Sequence, residues 1–487
     1  MPPETNPHHE RRWLILAVIG IAQLMVVLDA TIVNIALPSA QHELGFSNDS
    51  RQWIITAYAL AFGSLLLLGG RLGDLFGRKW TFIVGLAGFA IASAIGGFAG
   101  SFGVLVAARA LQGVFGAVLA PSALSLLATT FTRPDERGKA FGVFGAIAGS
   151  GAAAGLLLGG VLTEWLDWRW CLFVNLIFAV VAIVGAATLL VNQPHPQRPR
   201  LDLPGTLAAS LGFFGLVYGF SHAETTSWGD GVTLASLAAG AVLLIAFVAI
   251  ERRVAHPLLP LRVVLDRNRA GAYLAVGIAG IAMFGVFLFL TYYLQQVLGF
   301  TPIQAGLGFL PMTGAIMTTA TIANTVLLPR VGPRRLTTAG MLLATIAMLY
   351  LTGLSVDSTY AASVLPALLV AGVGFGLIFA PSFQGATFGV APSDAGVASA
   401  MVNTAQQVGG SIGTALLSTL AASAASGFAA TRAPSATLAT EAAVHGYTTA
   451  FWWSAGIFLF GAFVCGLLLR PGVAREVAPV GEPVLAH

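Results

Sequence analysis

Runs of about 20 apolar residues recur from one end of this chain to the other, and no other feature limits its fold as strongly. A helix rising 1.5 Å per residue needs about that length to cross the roughly 30 Å hydrocarbon core of a bilayer. Only 9% of the 487 residues are charged, against about 25% in soluble domains. So few charges cannot clothe a soluble body of this size, and lipid must be the solvent for much of the surface. Spans are expected near 13–37, 52–70, 80–99, 103–130, 139–162, 170–191, 204–222, 232–250, 271–297, 304–328, 336–355, 361–385, 396–425 and 447–469. The first, Trp13 to Leu37, is longer than a signal-peptide core and has no small-residue cleavage site behind it, so it reads as a retained span.

Fourteen spans place both termini on one side, and the basic residues say which. With the termini in the cytoplasm, 20 of the 24 Lys and Arg fall inside, three (Arg51, Arg169, Arg432) outside, and Arg109 within a span. That is the asymmetry of the positive-inside rule, and a miscounted helix would scramble it. It also explains the basic balance without nucleic acid. The expected location is the cell (inner or plasma) membrane. Cys171 and Cys465 lie far apart in apolar runs, which argues for small core residues and against a disulfide or zinc site.

The chain divides into a tail (1–12), a six-helix bundle (13–191), a segment with two extra spans (192–270), a second six-helix bundle (271–470) and a closing tail (471–487). The extra pair is set off by Asn192 to Arg200 and by Glu251 to Arg269, both basic and proline-bearing. The two bundles echo each other. Gly116-Ala-Val-Leu-Ala-Pro-Ser122 returns as Gly376-Leu-Ile-Phe-Ala-Pro-Ser382, Pro134 to Ala140 as Pro392 to Ala398, and Gly77-Arg-Lys79 faintly as Gly332-Pro-Arg-Arg335. All three loops lie on one side, so the repeats are parallel, an arrangement that puts a transporter's cargo near the midplane between halves.

Asp29 is the one acid and Arg109 the one base well inside a span. Ionisable groups there are costly and usually mark a pathway or a proton site. Asp29 lies roughly 24 Å above the inner start of span one and Arg109 roughly 21 Å above the inner face, so they share a level and are expected to interact, directly or through water. A carboxyl held between desolvation, which favours the neutral form, and a guanidinium, which favours the charged one, is poised to exchange a proton. On the loop after span two, Gly70, Gly73 and Gly77 interleave with Asp74, Arg78 and Lys79, which a simple positive anchor does not explain. Span five carries Gly145, Gly149, Gly151, Gly155, Gly159 and Gly160, a small-residue face for close helix approach.

The charged loop resembles the signature cytoplasmic loop of the major facilitator superfamily, the Arg109 run its fourth-helix motif and the glycine face its antiporter motif. Leu28 to Pro38, Asp167-Trp-Arg-Trp170 leading to Asn175, and Gly396-Val-Ala-Ser with Asn403, Gln406, Gln407, Gly409 and Gly410 resemble its fourteen-helix drug:proton antiporter branch. The resemblance implies an all-α membrane fold of two pseudo-symmetric six-helix bundles plus two extra central helices. It also implies proton-driven export of drug- or antibiotic-like molecules by alternating access, with Asp29 and Arg109 coupling protons and Gly70, Gly73, Asp74, Gly77, Arg78 and Lys79 latching the halves. Two departures stand out: Leu156 follows Gly155 where the motif usually has proline, and the tenth-helix acid of some polycation exporters has no counterpart between Val364 and Gln384.

With one deep carboxylate, the expected cargo is neutral or singly charged. Candidate contacts are Asn34, Tyr58, Gln112, Tyr292, Gln295, Asn324, Gln384, Asn403 and Gln407, amides and phenols that can orient an amphipathic guest or glue helices. No cofactor or metal is expected beyond the proton as coupling ion. The partners are membrane lipid, an amphipathic small molecule and protons, with a monomer expected. The alternative is a proton-coupled importer or a metabolite or lipid transporter on the same fold. A membrane enzyme finds no phosphate loop and no histidine–carboxylate cluster to support it. A scaffold role would need a soluble domain, and the longest outer loop, about 426–446, is too short for one.

Overall fold

In a computed structural model the described residues are 10–46, 53–191, 202–254, 257–391, 394–435 and 437–471. They form helices and no strand. In chain order these are α1 (Arg12–Leu44), α2 (Trp53–Phe76), α3 (Arg78–Gly97), α4 (Phe102–Thr130), α5 (Pro134–Trp165), α6 (Trp170–Leu189), α7 (Leu203–Thr225) and α8 (Gly231–Glu251). The second part has α9 (Arg267–Val297, ending in a π turn), α10 (302–331), α11 (333–351), α12 (Leu365–Thr387, entered through the π turn Tyr360–Val364), α13 (Ala395–Ala430) and α14 (Leu438–Leu468).

Among the described residues, twelve segments are long and apolar enough to cross a membrane. One of them, Ile303–Leu351, runs for 49 residues, more than twice the length a bilayer needs, and breaks at Gly332 (φ 78°, ψ 165°) into α10 and α11. The 32-residue α5 is also of membrane length, with no charged residue between Ala140 and Thr163. Counting α5 and dividing the long segment gives fourteen helices of membrane length.

Helix ends follow local chemistry. Asp230 and Asp266 each accept two backbone N–H bonds at the starts of α8 and α9, and Thr301 with Gln304 makes a reciprocal capping box at α10. Pro134 occupies the first turn of α5, where a missing N–H costs nothing. Left-handed Gly45 ends α1, and Gly77 (φ 90°) turns the chain between α2 and α3. Gly332 adopts nearly the conformation of Gly77, so the faint echo between these loops is a shared backbone turn.

Helices α1–α6 pack together, as do α9–α14, and equivalent contacts recur in both groups. Gly113 lets α4 approach the Tyr58 carbonyl of α2, where an added Cβ would lie 2.5 Å from the oxygen; Gly372 does the same for α12 against Met312 of α10. Helices α7 and α8 pack on each other, and α7 also contacts α2 and α13, one helix from each group.

Two expectations need correction. Gly70 and Gly73, expected on the loop after span two, are helical: α2 continues to Phe76 because its apolar and close-contact faces run through them, and Gly77 alone makes the reversal. The expected loop 426–446 shrinks to 431–437, because its alanines extend α13 and α14.

Gly69 is pressed against the Ala117 carbonyl, so a Cβ there would overlap it, whereas Gly314 has nothing within 4 Å of the same position. Gly69→Ala should therefore cost about 1–3 kcal/mol through forced separation of α2 and α4, and Gly314→Ala should be neutral or gain up to about 1 kcal/mol in helix propensity. Thermal unfolding in detergent reads both; equal melting temperatures would remove the close α2–α4 contact as a constraint.

Candidate functional site

Asp29 on α1 and Arg109 on α4 are 0% and 1% exposed, and Arg109 Nη1 lies 2.6 Å from Asp29 Oδ2. The shared depth read from the sequence is thus realised as direct contact. Asp29 Oδ1 accepts from Gln112 Nε2 at 2.9 Å and from Asn175 Nδ2 of α6 at 2.7 Å. Arg109 donates to Gln112 Oε1 (2.7 Å) and to the Ile54 carbonyl of α2 (3.3 Å), and its guanidinium sits 4.4 Å from the Tyr58 ring centroid. Ser93 Oγ of α3 accepts from Gln112 at 2.7 Å and from Asn175 at 3.3 Å. Five helices therefore contribute to one buried network. Arg109 and Gln112, three residues apart, share a helix face. A buried ion pair is poor value as a stabiliser, because desolvation offsets its attraction. Its retention in an apolar bundle points to work done by the charge.

Ser93 and the Ile54 carbonyl escaped sequence reading. A serine in an apolar helix usually bonds its own backbone, and a backbone acceptor leaves no trace in composition. Asn175 was legible only through its motif.

At the end of the bundle where the described residues begin and end and where most of the basic residues lie, the groups meet along a seam. Gly70 of α2 faces α13: an added Cβ would lie 2.6 Å from the Gly396 carbonyl oxygen and 2.7 Å from the Ala400 Cβ. The Gly396 N–H donates to Asp74 Oδ1 at 3.2 Å, at the start of α13, where the helix dipole favours an anion. Arg78 lies 3.7 Å from the same oxygen and donates from Nε to Ser125 Oγ of α4 at 2.8 Å. Lys79 caps α6 by donating to the carbonyls of Ala187 and Leu190, within its own group. Arg137 of α5 reaches Thr387 of α12 at 3.0 Å, and Arg262 pairs with Asp394 at 2.8 Å. Of the six residues expected to latch, Gly70 and Asp74 touch the opposite group directly; Gly77 turns the chain, Arg78 and Lys79 brace it, and Gly73 faces Ser122.

The glycine face of α5 is split among three helices. Gly151, Gly155 and Gly159 abut Val27, Leu28, Thr31 and Ile32 of α1, while Gly145 and Gly160 abut Ala380 of α12 and Ile303 of α10. Gly149 and the side chains of Asn34 and Leu156 lie outside the described residues.

The expected cargo contacts disperse. Tyr58 and Gln112 are buried in the charge network. Tyr292 is 38% exposed and stacks on Tyr447, and Gln295 is half-buried in the adjoining π turn. Asn324 sits buried in the π turn of α10 with neither amide atom hydrogen-bonded, and Gln384 has a buried, unpaired Oε1. Asn403 bonds the Ser399 carbonyl, and Gln407 approaches the Gly63 position from α13.

At the opposite end, Glu43 of α1 accepts from Trp168 Nε1 and Arg169 Nη1, both at 2.7 Å, which ties the tryptophan motif to α1. The Arg169 hydrogen bond holds the Glu43 carboxyl below its ordinary range.

The sequence profile of the Major Facilitator Superfamily matches residues 19–414. This chain belongs to that superfamily. It is 50% identical to the puromycin resistance protein of Streptomyces alboniger, over 94% of this chain and 92% of that protein. It is 39% identical to a cephamycin export protein of Amycolatopsis lactamdurans (94% and 92% covered), and 36% identical to a tetracenomycin C resistance and export protein of Streptomyces glaucescens (85% and 76%). The human organic anion transporter MFSD10 (TETRAN) has the same fold, with a TM-score of 0.63 at 16% identity, over 96% of this chain and 100% of that one.

A Cβ added at Gly396 would collide with the Gly70 carbonyl and lie 2.8 Å from both Asp74 carboxylate oxygens. Gly396→Ala should therefore hold the seam apart. A cysteine placed at Leu67, 2% exposed beside that seam, should react with a thiol reagent several-fold faster in the Gly396→Ala background. Unchanged labelling would show that the seam closes without this contact.

Proposed function

We propose that this protein is a secondary transporter that exports small amphipathic molecules of the antibiotic class in exchange for protons. The observation that carries the reading is the Asp29–Arg109 pair, a fully buried ion pair in a fold whose relatives are named for antibiotic resistance and export. Asp29 takes a proton from outside and releases it to the cytoplasm as the halves rock, and Arg109 balances the ionised form. Asp74 and Gly396 hold the basic end closed in the state seen here. The distribution of Lys and Arg supports a cytoplasmic place for that end, with all fourteen long helices crossing the membrane. The cargo path runs between the halves, with Tyr292, Gln295, Asn403 and Gln407 as contacts. The cargo is neutral or singly charged, since Asp29 is the only carboxylate deep in a span. The protein works as a monomer in the cell membrane.

Puromycin is the first compound to test, given the relative at 50% identity. In proteoliposomes with an imposed pH gradient, adding cargo should drive proton movement in wild-type protein. Asp29→Asn fixes the neutral state and should reduce that flux by about a hundredfold, while cargo binding persists because an amide keeps the shape. Wild-type flux from Asp29→Asn would make the pair a structural bridge. Proton movement in the same direction as the cargo would favour the import alternative.

Orientation is separable from coupling. Thr226→Cys, at the exposed turn between α7 and α8, should react with an impermeant thiol reagent applied to intact cells. Labelling only after lysis would place that turn inside and remove the two added crossings.

A further inference from the structure

The hydrogen bonds to Asp29 all come from donors, the arrangement that suits the ionised carboxylate. Oδ2 faces Arg109, which has donors only. Oδ1 faces two amide nitrogens, from Gln112 and Asn175. A proton added to Oδ1 would point at another donor. One buried acceptor in the network is unused: Asn175 Oδ1, which accepts no hydrogen bond although its residue is 0% exposed. It belongs to the same amide that now donates to Asp29.

We propose that Asn175 is a positioning residue whose amide turns over when Asp29 takes up a proton, so that Oδ1 accepts the new carboxylic O–H. The inference rests on the reading of Asp29 as the proton site. The covalent change is one O–H bond, formed at Asp29 Oδ1 with a proton delivered by water. Everything else is a half-turn about one side-chain bond. Ser93 makes the turn possible. Its hydroxyl accepts from Asn175 Nδ2 at 3.3 Å now, and can donate to Asn175 Oδ1 after the turn while still accepting from Gln112. Gln112 cannot substitute, because its Oε1 holds Arg109 at 2.7 Å and turning it would set an NH2 against a guanidinium. In either orientation one Asn175 amide atom stays unpaired, so the turn exchanges one imperfect network for another and neither protonation state is locked. Besides Arg109 of α4, the ionisable neighbours are Tyr58 of α2, whose ring faces the guanidinium, and Cys171, one turn before Asn175 on α6; α3 brings Ser93 to the site, and α5 meets α1 there through glycines.

Infrared difference spectra of the full chain in lipid, recorded between high and low pH, test this. The carboxylic C=O band of Asp29 is identified by its loss in Asp29→Asn. Asn175→Val removes donor and acceptor alike, so a shift in the pH midpoint would not separate the roles; the position of the band does. The band should move to higher wavenumber in Asn175→Val, where the O–H has no acceptor, and return in Asn175→Thr, which has the shape of valine but a hydroxyl that both donates and accepts. Cargo-driven proton flux should fall roughly tenfold in Asn175→Val and recover in Asn175→Thr. Wild-type protein with isotope-labelled asparagine makes the same test without substitution, through an amide band that shifts with Asp29 protonation. A carboxylic band unmoved in Asn175→Val, or a labelled amide band insensitive to pH, would overturn the proposal and leave Asn175 a fixed donor. Absence of any band lost in Asp29→Asn would instead remove the proton site itself, and this inference with it.

Discussion

Lipid offers no hydrogen bonds, so every polar group at membrane depth in this chain has to find its partner inside the bundle or carry the cost. Backbone groups meet that demand by being helical almost without interruption. Side chains meet it by concentration: one carboxylate, one guanidinium, two amides, a hydroxyl and a carbonyl are drawn from five helices into a single network. A network assembled from so many elements aligns α1, α2, α3, α4 and α6 as a unit. The charge pair therefore also sets the register of the first bundle, and a change in the protonation of Asp29 is a change in what holds five helices together.

The seam at the basic end works on a different balance. It is made of backbone contact, with Gly70 against Gly396, and one charge-assisted bond from a helix start to Asp74. Such a contact is tight when closed yet buries little side-chain volume, so little packing is lost when it opens. Leu258 and Leu259, in the connection after α8, share a cluster with Leu67 of α2 and Val397 and Ala400 of α13. Their backbone N–H groups are held by Glu251. The inserted helical pair therefore contributes to the same seam, and is more than a spacer between the bundles.

Much of this was legible in the sequence because lipid imposes long, simple signals. Span positions, the parallel repeat and the isolation of Asp29 and Arg109 all follow from where apolar runs start and stop. What was not legible depends on contacts with short signatures. Gly70 and Gly73 look like turn residues beside charges, yet here they serve close approach within a helix that continues past them. Alanine-rich 426–446 has no apolar run to mark it, yet alanine is the best helix former and the helices extend through most of it. Tyr58 and Gln112 read as free polar groups for a guest. The network consumes them because Arg109 needs an acceptor and an aromatic face once water is gone.

Leu156 in place of the usual motif proline bears on how α5 can work. A proline there would remove a backbone hydrogen bond and bend the helix; here α5 runs unbroken from Pro134 to Trp165. Close approach to α1 does not need the bend, because Gly155 presses against Thr31 and the Leu28 carbonyl, and Gly159 against Ile32. Leu28 and Thr31 flank Asp29, so the helix that carries the carboxylate is in backbone contact with α5. On its other side α5 meets the second bundle at Ala380 and Ile303. One unbroken α5 thus lies in contact both with the helix that carries Asp29 and with the opposite bundle. Both contacts are made through glycines along that helix, with no kink at Leu156.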